Sequence, residues 1–402
     1  MLDNQNLSGK KVLVRVDFNV PLDNQLHVTD DTRIRGALPT ITELLERGAK
    51  VILMSHLGRP LKDLDENGKI KFKYSLKNIV PAIEQLTHHK IEFRTTPLDG
   101  EEPFRINDDP NTITLLENTR FYKGEEKGDT KLAEKMSTLA EYYINDAFGA
   151  AHREHASTAT IARFFDSTHK SFGHLMDKEV SNISKMMDHP ARPFCAIVGG
   201  AKVSDKIALL DNLLNQVDII LIGGGMAFTF IKGNGGSIGN SLCELDKTDM
   251  AIELLKRAKE KGVEIILPID VRIAETFSND AASDIVNSDN IPDGWSGLDI
   301  GPKTIQLFDS YIQRAKTILW NGPAGVFEFP NFAHGTFAMA QSVAKATSTG
   351  AFSIIGGGDS VAAINQAGLE DRVSFVSTGG GAMLEMIEGK VLPGIAAMKS
   401  EI

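Results

Sequence analysis

The chain predicts an α/β fold: two doubly wound parallel-sheet (Rossmann-like) domains joined by a hinge helix. Three observations predict it. At 402 residues the chain exceeds what one hydrophobic core usually supports. Short β-branched runs alternate with amphipathic helical stretches throughout, as in parallel sheets covered by helices. The segments that follow the strands also change chemistry halfway along, which is expected if each half builds its own ligand-facing edge.

In the first half strands are expected at 12–16, 51–54, 91–93, 113–116 and 142–144. In the second they are expected at 194–198, 217–222, 263–267, 317–320, 352–355 and 373–376. Between the sets, residues 175–188 place Met176, Val180, Ile183 and Met187 at helical spacing and end at His189-Pro190, where proline disfavours further α conformation. This gives a first domain over 1–173, a connecting helix over 174–189 and a second domain from 190 to 378.

Bulk properties narrow the function. A net charge of -10 argues against a nucleic-acid binder, which needs a basic surface, yet leaves room for a local cationic cluster. The two cysteines, Cys195 and Cys243, form neither a metal spacing nor a disulfide framework, which suits a reducing cytoplasm. No secretory h-region and no bilayer-length apolar run is visible, so a soluble cytoplasmic protein is expected.

After its strands the first half offers charged and polar groups: Asp17-Phe18-Asn19, Ser55-His56-Leu57-Gly58-Arg59-Pro60, Glu117-Asn118-Thr119-Arg120 and Asn145 through His152-Arg153. The second half offers glycine: Gly199-Gly200-Ala201-Lys202, Gly223-Gly224-Gly225, Asn321-Gly322-Pro323-Ala324-Gly325, Gly356-Gly357-Gly358-Asp359-Ser360 and Thr378-Gly379-Gly380-Gly381. One domain presents guanidiniums, the other bare backbone.

Glycine loops ahead of helices let backbone N–H groups approach a phosphate, and five such loops exceed what turns alone would need. Neither the P-loop nor the dinucleotide fingerprint occurs. Lys202 and Lys206, four apart, are expected on one face of the first helical turns with an anion between them; two solvated lysines are the plainer alternative. Asp359 among phosphate-facing loops suits Mg²⁺, although an N-cap aspartate would look the same. Glu328 is a candidate for ribose hydroxyls or simply an exposed acid. Arg33, Arg59, Arg120 and Arg153, singly surface residues, together describe a site for a small, multiply anionic substrate. His152, Glu154 and His155 lack a metal-site spacing and read as loop histidines with a neighbouring acid.

Six stretches in order, from Val14-Arg15-Val16-Asp17-Phe18-Asn19 through Leu57-Gly58-Arg59-Pro60, Glu117-Asn118-Thr119-Arg120, Gly199-Gly200-Ala201-Lys202, Trp320-Asn321-Gly322-Pro323 and Gly356-Gly357-Gly358-Asp359-Ser360, resemble motifs of the phosphoglycerate kinase family across essentially the whole chain. The resemblance implies reversible phosphoryl transfer between 1,3-bisphosphoglycerate and MgADP, giving 3-phosphoglycerate and MgATP in glycolysis, with Mg²⁺ bound alongside the nucleotide. It implies that Asp17, Asn19, Arg33, His56, Arg59, Arg120 and Arg153, with Phe18, Leu57 and Gly58 in the same loops, hold 3-phosphoglycerate in the first domain. It implies that Gly200, Ala201, Lys206, Gly224, Gly225, Gly297, Asn321, Glu328, Gly357, Gly358, Asp359 and Ser360 hold ADP or ATP, with Asp359 on the metal side. Arg33, Lys202, Lys206, Gly379 and Gly380 would act on the transferring group. The resemblance further implies that a segment at 379–402 returns to the first domain, and a working monomer without membrane or nucleic-acid partners is expected.

Four places depart from the family pattern: the long, charged run 61–73, the segment 97–103, Glu154 beside Arg153, and His174 where proline is common. Two rivals, a nicotinamide dehydrogenase and a non-catalytic nucleotide-binding scaffold, are disfavoured by the missing dinucleotide fingerprint and by the presence of Arg33, Lys202, Lys206 and Asp359.

Overall fold

The computed structural model describes residues 2, 5–95, 98, 109 and 111–399. It divides into two compact units, Met1–Val180 with Val391–Ile402, and Ser181–Lys390. The expected turn at 97–103 lies outside the described residues apart from Leu98.

The first unit contains β1 (Lys11–Val16), α1 (Thr32–Glu46), β2 (Lys50–Met54), α2 (Val80–Thr87), β3 (Lys90–Arg94), β4 (Thr112–Leu116), α3 (Thr130–Ser137), β5 (Tyr142–Asp146) and β6 (Lys170–Phe172). Its six strands lie in the order β3-β4-β2-β1-β5-β6 and pair in parallel throughout. Side chains alternate between two cores, because successive residues of a strand face opposite ways. Val12, Val14 and Val16 pack with Ile34 and Ile41 of α1, whereas Leu13 packs with Met136 of α3 and with Ile161. Both faces are therefore covered, which is why β1 reads as an apolar run.

α4 (His174–Asp188) follows, and the division between the units falls within it. Its first turn is tied to the first unit: His174 N donates to Thr40 Oγ1 at 2.9 Å, and the His174 ring meets Glu43 Oε2 at 2.5 Å. Histidine in place of proline thus adds a side-chain anchor on α1.

The second unit opens with β7 (Phe194–Val198), α5 (Ile207–Leu213), β8 (Ile219–Ile222), α6 (Met226–Gly233), β9 (Ser237–Ile238), α7 (Thr248–Glu260) and β10 (Glu264–Ile266). It continues with β11 (Asp270–Ala274), β12 (Ser283–Asn287), β13 (Asn290–Ile291), β14 (Ser296–Ile300), α8 (Pro302–Arg314), β15 (Thr317–Asn321), α9 (His334–Ser348), β16 (Phe352–Ile355), α10 (Gly358–Gln366), β17 (Phe375–Val376) and α11 (Gly381–Ile387). The main sheet is parallel in the order β10-β8-β7-β15-β16-β17, the doubly wound arrangement. All eleven expected strands fall in the two large sheets. The sequence reading missed β6, the antiparallel trio β12-β11-β14 and the short pair β13-β9. β12 is mostly exposed and polar, so it has no apolar alternation to betray it.

α12 (Pro393–Lys399) belongs to the first unit: Gly394 N donates to Ala151 O at 2.8 Å, and Lys170 Nζ donates to Ala397 O at 3.1 Å. The change of unit comes at Val391 instead of residue 379, because α11 is held to the second unit by the bond from the Asn212 amide to Ile387 O.

Strand order reverses between β1 and β5 in one sheet and between β7 and β15 in the other. Such switch points leave a crevice beyond the carboxyl ends of the strands.

Candidate active site

In the first unit a cleft of about 880 Å³ is lined by Asn19, His56, Gly58, Arg59, Arg120 and Arg153, with Lys62, Lys127, Glu126, Glu154 and two further histidines. These residues follow β1, β2, β4 and β5, and side-chain amides stitch their loops together. Asn19 Oδ1 accepts from Gly58 N at 2.8 Å. Asn118 Nδ2 donates to Leu57 O at 2.7 Å, while Asn118 Oδ1 accepts from Arg120 N at 3.0 Å. Arg120 in turn donates to Gly58 O at 2.8 Å. Arg59 and Arg153 are exposed on the cleft, and Arg33 donates to Asp17 Oδ2 at 2.7 Å.

Two expected contributors are corrected. The Phe18 and Leu57 side chains belong to the hydrophobic core, at 0% and 4% exposure, so only their backbones can serve a ligand. Glu154 does not neutralise Arg153, since its carboxylate accepts from Arg163 at 2.7 Å. The charged run at 61–73 folds back on itself through a Leu64–Ile70 bridge. Asp63 gathers Lys71, Lys73 and the Tyr74 hydroxyl, and the Tyr74 ring fills the space beside Gly58, within 2.5 Å of where a Cβ would stand.

Two of the cleft histidines, His56 and His155, are pushed toward the neutral form. Burial, helped by Arg15 and Arg120, keeps His56 well below the usual imidazole range. Burial, then Arg120 and Arg15, pushes His155 down to about 4. A base whose folded value lies below its unfolded one contributes stability above its unfolded value near 6.5, and that stability is lost as pH falls toward 4. Acidification across that window should therefore weaken the first unit by about 1.4 kcal/mol per pH unit from His155 alone. His155→Gln should flatten this part of the profile in urea-unfolding measurements; an identical slope in the variant would show that His155 does not titrate there.

In the second unit a pocket of about 480 Å³ is lined by Gly200, Ala201, Gly224, Gly225, Gly297, Glu328 and Asp359. Phe228, Leu242, Leu298 and Val326 give it an apolar wall, which the sequence reading missed. Leu242 and Leu298 lie outside the large sheet, in the polar stretch without clear periodicity. Glu328 and Asp359 are exposed. Gly297 is fixed from two sides: its N–H donates to Ser241 Oγ at 2.9 Å, and a Cβ there would meet the Phe228 ring at 2.1 Å.

Other expected residues support the pocket from behind. Asn321, 1% exposed, accepts from Lys206 Nζ and donates to Gly356 O at 2.6 Å. Ser360, fully buried, accepts from Gly322 N at 2.5 Å. Burial lowers the Lys206 pKa, while Asp359, Asp205 and Glu388 act to keep its charge. Lys202 and Lys206 do not share a helical face: a 3₁₀ turn spans Ser204–Lys206 and α5 begins at Ile207. The buried Val203 anchors that turn, which leaves Lys202 exposed before it.

The glycines divide into two kinds. A Cβ on Gly199 would meet Pro323 O at 2.1 Å, and one on Gly322 would meet Gly199 O at 2.2 Å, so these two let the β7 and β15 loops touch backbone to backbone. Gly358 and Gly380 have nothing within 4 Å and border open space, where an anion could approach. The Gly379 N–H is engaged by Ser377 Oγ at 3.1 Å, so from the last loop Gly380 and Gly381 remain at the start of α11.

Doubly wound units with a guanidinium-lined cleft on one and a glycine-loop pocket on the other define a two-domain α/β phosphotransferase. The comparisons agree. The phosphoglycerate kinase family model matches residues 2–390. The phosphoglycerate kinase of Porphyromonas gingivalis is 47% identical, over 98% of this chain and 98% of its own. The cytosolic enzyme of Nicotiana tabacum is 48% identical, over 99% and 97%. The structure of phosphoglycerate kinase from Coxiella burnetii superposes with a TM-score of 0.89 at 42% identity, covering 98% of this chain and 97% of that one. The chain belongs to the phosphoglycerate kinase family.

Proposed function

We propose that the cationic cleft of the first unit holds 3-phosphoglycerate or 1,3-bisphosphoglycerate and that the glycine-lined pocket of the second holds ADP or ATP. The activity is that of the family, a kinase with a carboxyl group as acceptor, working in glycolysis. The observation that carries the assignment is the segregation of chemistry: Arg59, Arg120 and Arg153 on one cleft, backbone glycine and an apolar wall on the other. Guanidinium forks suit a phosphate and a carboxylate, whereas apolar walls suit a base.

Asp359 is the carboxylate for Mg²⁺. Among the described residues no three His, Cys, Asp or Glu groups gather into a metal site. The exposed Asp359 carboxylate, in the nucleotide pocket at the start of α10, suits a cation that is also held by phosphate oxygens and water. When bound, the ion supplies charge neutralisation at the nucleotide phosphates.

Phosphoryl transfer asks mainly for positioning and charge stabilisation. The leaving group of an acyl phosphate is a carboxylate, so no general acid is required. Arg33, Lys202, Lys206 and the N–H groups of Gly380 and Gly381 neutralise the transferring oxygens. Asn321 acts through Lys206, whose ammonium it orients. Reacting atoms must come within about 3–3.5 Å, so transfer requires the two ligands to be brought together with water excluded. A single copy is sufficient for the reaction, because one chain supplies both pockets. A cytoplasmic location is supported by the cytosolic relative, and no helix among the described residues is long and apolar enough to cross a membrane.

A coupled assay of ATP formation from 1,3-bisphosphoglycerate tests the reaction; absence of MgADP-dependent turnover would defeat it. Arg59→Ala should weaken 3-phosphoglycerate binding by about 1.5–3 kcal/mol and leave ADP binding nearly intact. Calorimetry with each ligand alone decides this, and equal losses for both would mean that the sites are not segregated.

A further inference from the structure

Arg15 interrupts the apolar run of β1 and is fully buried. A buried guanidinium must satisfy its donors, and this one does so along a line that ends at the cleft. Nε donates to Ser157 Oγ at 2.9 Å, one terminal nitrogen donates to Val16 O, and the other lies 3.0 Å from His56 Nδ1. Ser157 passes the charge on: its hydroxyl donates to Glu125 Oε1 at 2.5 Å and its N–H to Oε2 at 3.0 Å. Glu125 is itself fully buried. The sequence Glu125, Ser157, Arg15, His56 is thus a buried relay beneath the cleft floor.

Arginine has five N–H donors, no acceptor, and stays protonated in proteins. The ring nitrogen facing it must therefore be the one with the lone pair. A neutral imidazole that accepts at Nδ1 carries its proton on Nε2. We infer that Arg15 is a positioning residue that locks His56 in the neutral Nε2–H tautomer, so that His56 offers the cleft a hydrogen-bond donor for a ligand carboxylate or phosphate oxygen. This deepens the assignment of the cleft to 3-phosphoglycerate and rests on it.

The chemistry gives the lock a purpose. The opposite tautomer would turn a lone pair toward an anionic oxygen and repel it. An imidazolium would crowd another charge beside Arg15, Arg120 and Arg33, the cations that, after burial, hold His56 neutral. A neutral donor avoids both. Arg15 itself lies beneath the imidazole and does not line the cleft, so it acts on the ligand only through His56.

The test is long-range ¹H–¹⁵N correlation NMR on the full chain labelled at its 10 histidines, near pH 7.5, with His56→Gln identifying the signal. The unliganded wild type should show the Nε2–H pattern for His56; an Nδ1–H pattern or an imidazolium would overturn the inference whether or not any Arg15 variant folds. Arg15→Met should release the ring into mixed tautomers and weaken 3-phosphoglycerate binding roughly 10- to 100-fold, with ADP binding unchanged. A folded Arg15→Met chain that kept the Nε2–H pattern and wild-type affinity would equally overturn it. A wild type with the expected pattern but no 3-phosphoglycerate binding would instead defeat the assignment of the cleft, and with it the role given to the locked donor.

Discussion

Lys202→Ala is expected to lower kcat by roughly 10²- to 10⁴-fold, with a much smaller change in ADP affinity. The two lysines of this loop are held differently, and the difference separates their roles. Lys206 caps α5 and gives its ammonium to Asn321, so it belongs to the fixed frame of the pocket. Lys202 is exposed ahead of the 3₁₀ turn, and that turn is pinned by Glu244, which accepts from Ser204 N at 2.9 Å and Ser204 Oγ at 2.5 Å. A fixed base with an exposed ammonium suits a group that meets charge only as it develops, which is where stabilisation raises kcat. Lys206→Ala should by contrast cost nucleotide affinity as well, because it leaves the buried Asn321 Oδ1 without its donor. Steady-state rates in both directions with calorimetric ADP binding distinguish the two. Near-normal kcat in Lys202→Ala would remove it from the mechanism.

Much of the fold was legible because fully covered parallel strands must be apolar on both faces. Runs such as 51–54 and 219–222 can hardly be anything else. Candidate site residues were legible where chemistry follows strand ends: Asn19, Arg59 and Arg120 line the cleft of the first unit, and Gly200 and Asp359 line the pocket of the second. What escaped was of two kinds. The short strands β9 and β11–β14 have no long alternation, and with them went the apolar wall around Leu242 and Leu298. The second kind is support. Arg15 was visible as a charge inside an apolar strand, a signal of a buried pair, but its partners Ser157 and Glu125 lie more than a hundred residues away and only the fold joins them. The glycine loops carry a further need. Gly199 and Gly322 lie in loops that suit phosphate contact, and the structure uses these two to bring the loops together backbone to backbone, a need that cannot be told from ligand binding in sequence alone.

That use of glycine makes Gly322→Ala a strongly disruptive small change in the second unit. Gly322 has φ +106°, a conformation that L side chains rarely adopt, and its missing Cβ would stand 2.2 Å from Gly199 O and 2.4 Å from Gly199 C. Both are backbone atoms, so no rotamer change can relieve the clash. Local strain costs about 1–2 kcal/mol and overpacking about 1–3 kcal/mol more, a sum of roughly 2–5 kcal/mol. The contact joins β7 and β15, the strands at the switch point, and their loops carry Gly200 and Pro323 into the pocket wall. ADP affinity should therefore fall together with stability. Gly235→Ala is the control, since Gly235 has φ +91° but nothing within 4 Å of its would-be Cβ, so only the strain remains. Both tryptophans, Trp295 and Trp320, lie in the second unit, so urea unfolding followed by their fluorescence reports on that unit without interference from the first. Gly322→Ala should lower the midpoint well below that of Gly235→Ala and weaken ADP binding, while 3-phosphoglycerate binding stays near normal. Equal midpoints for the two variants would mean that the loops can part freely and that Gly322 is present for its backbone angle alone.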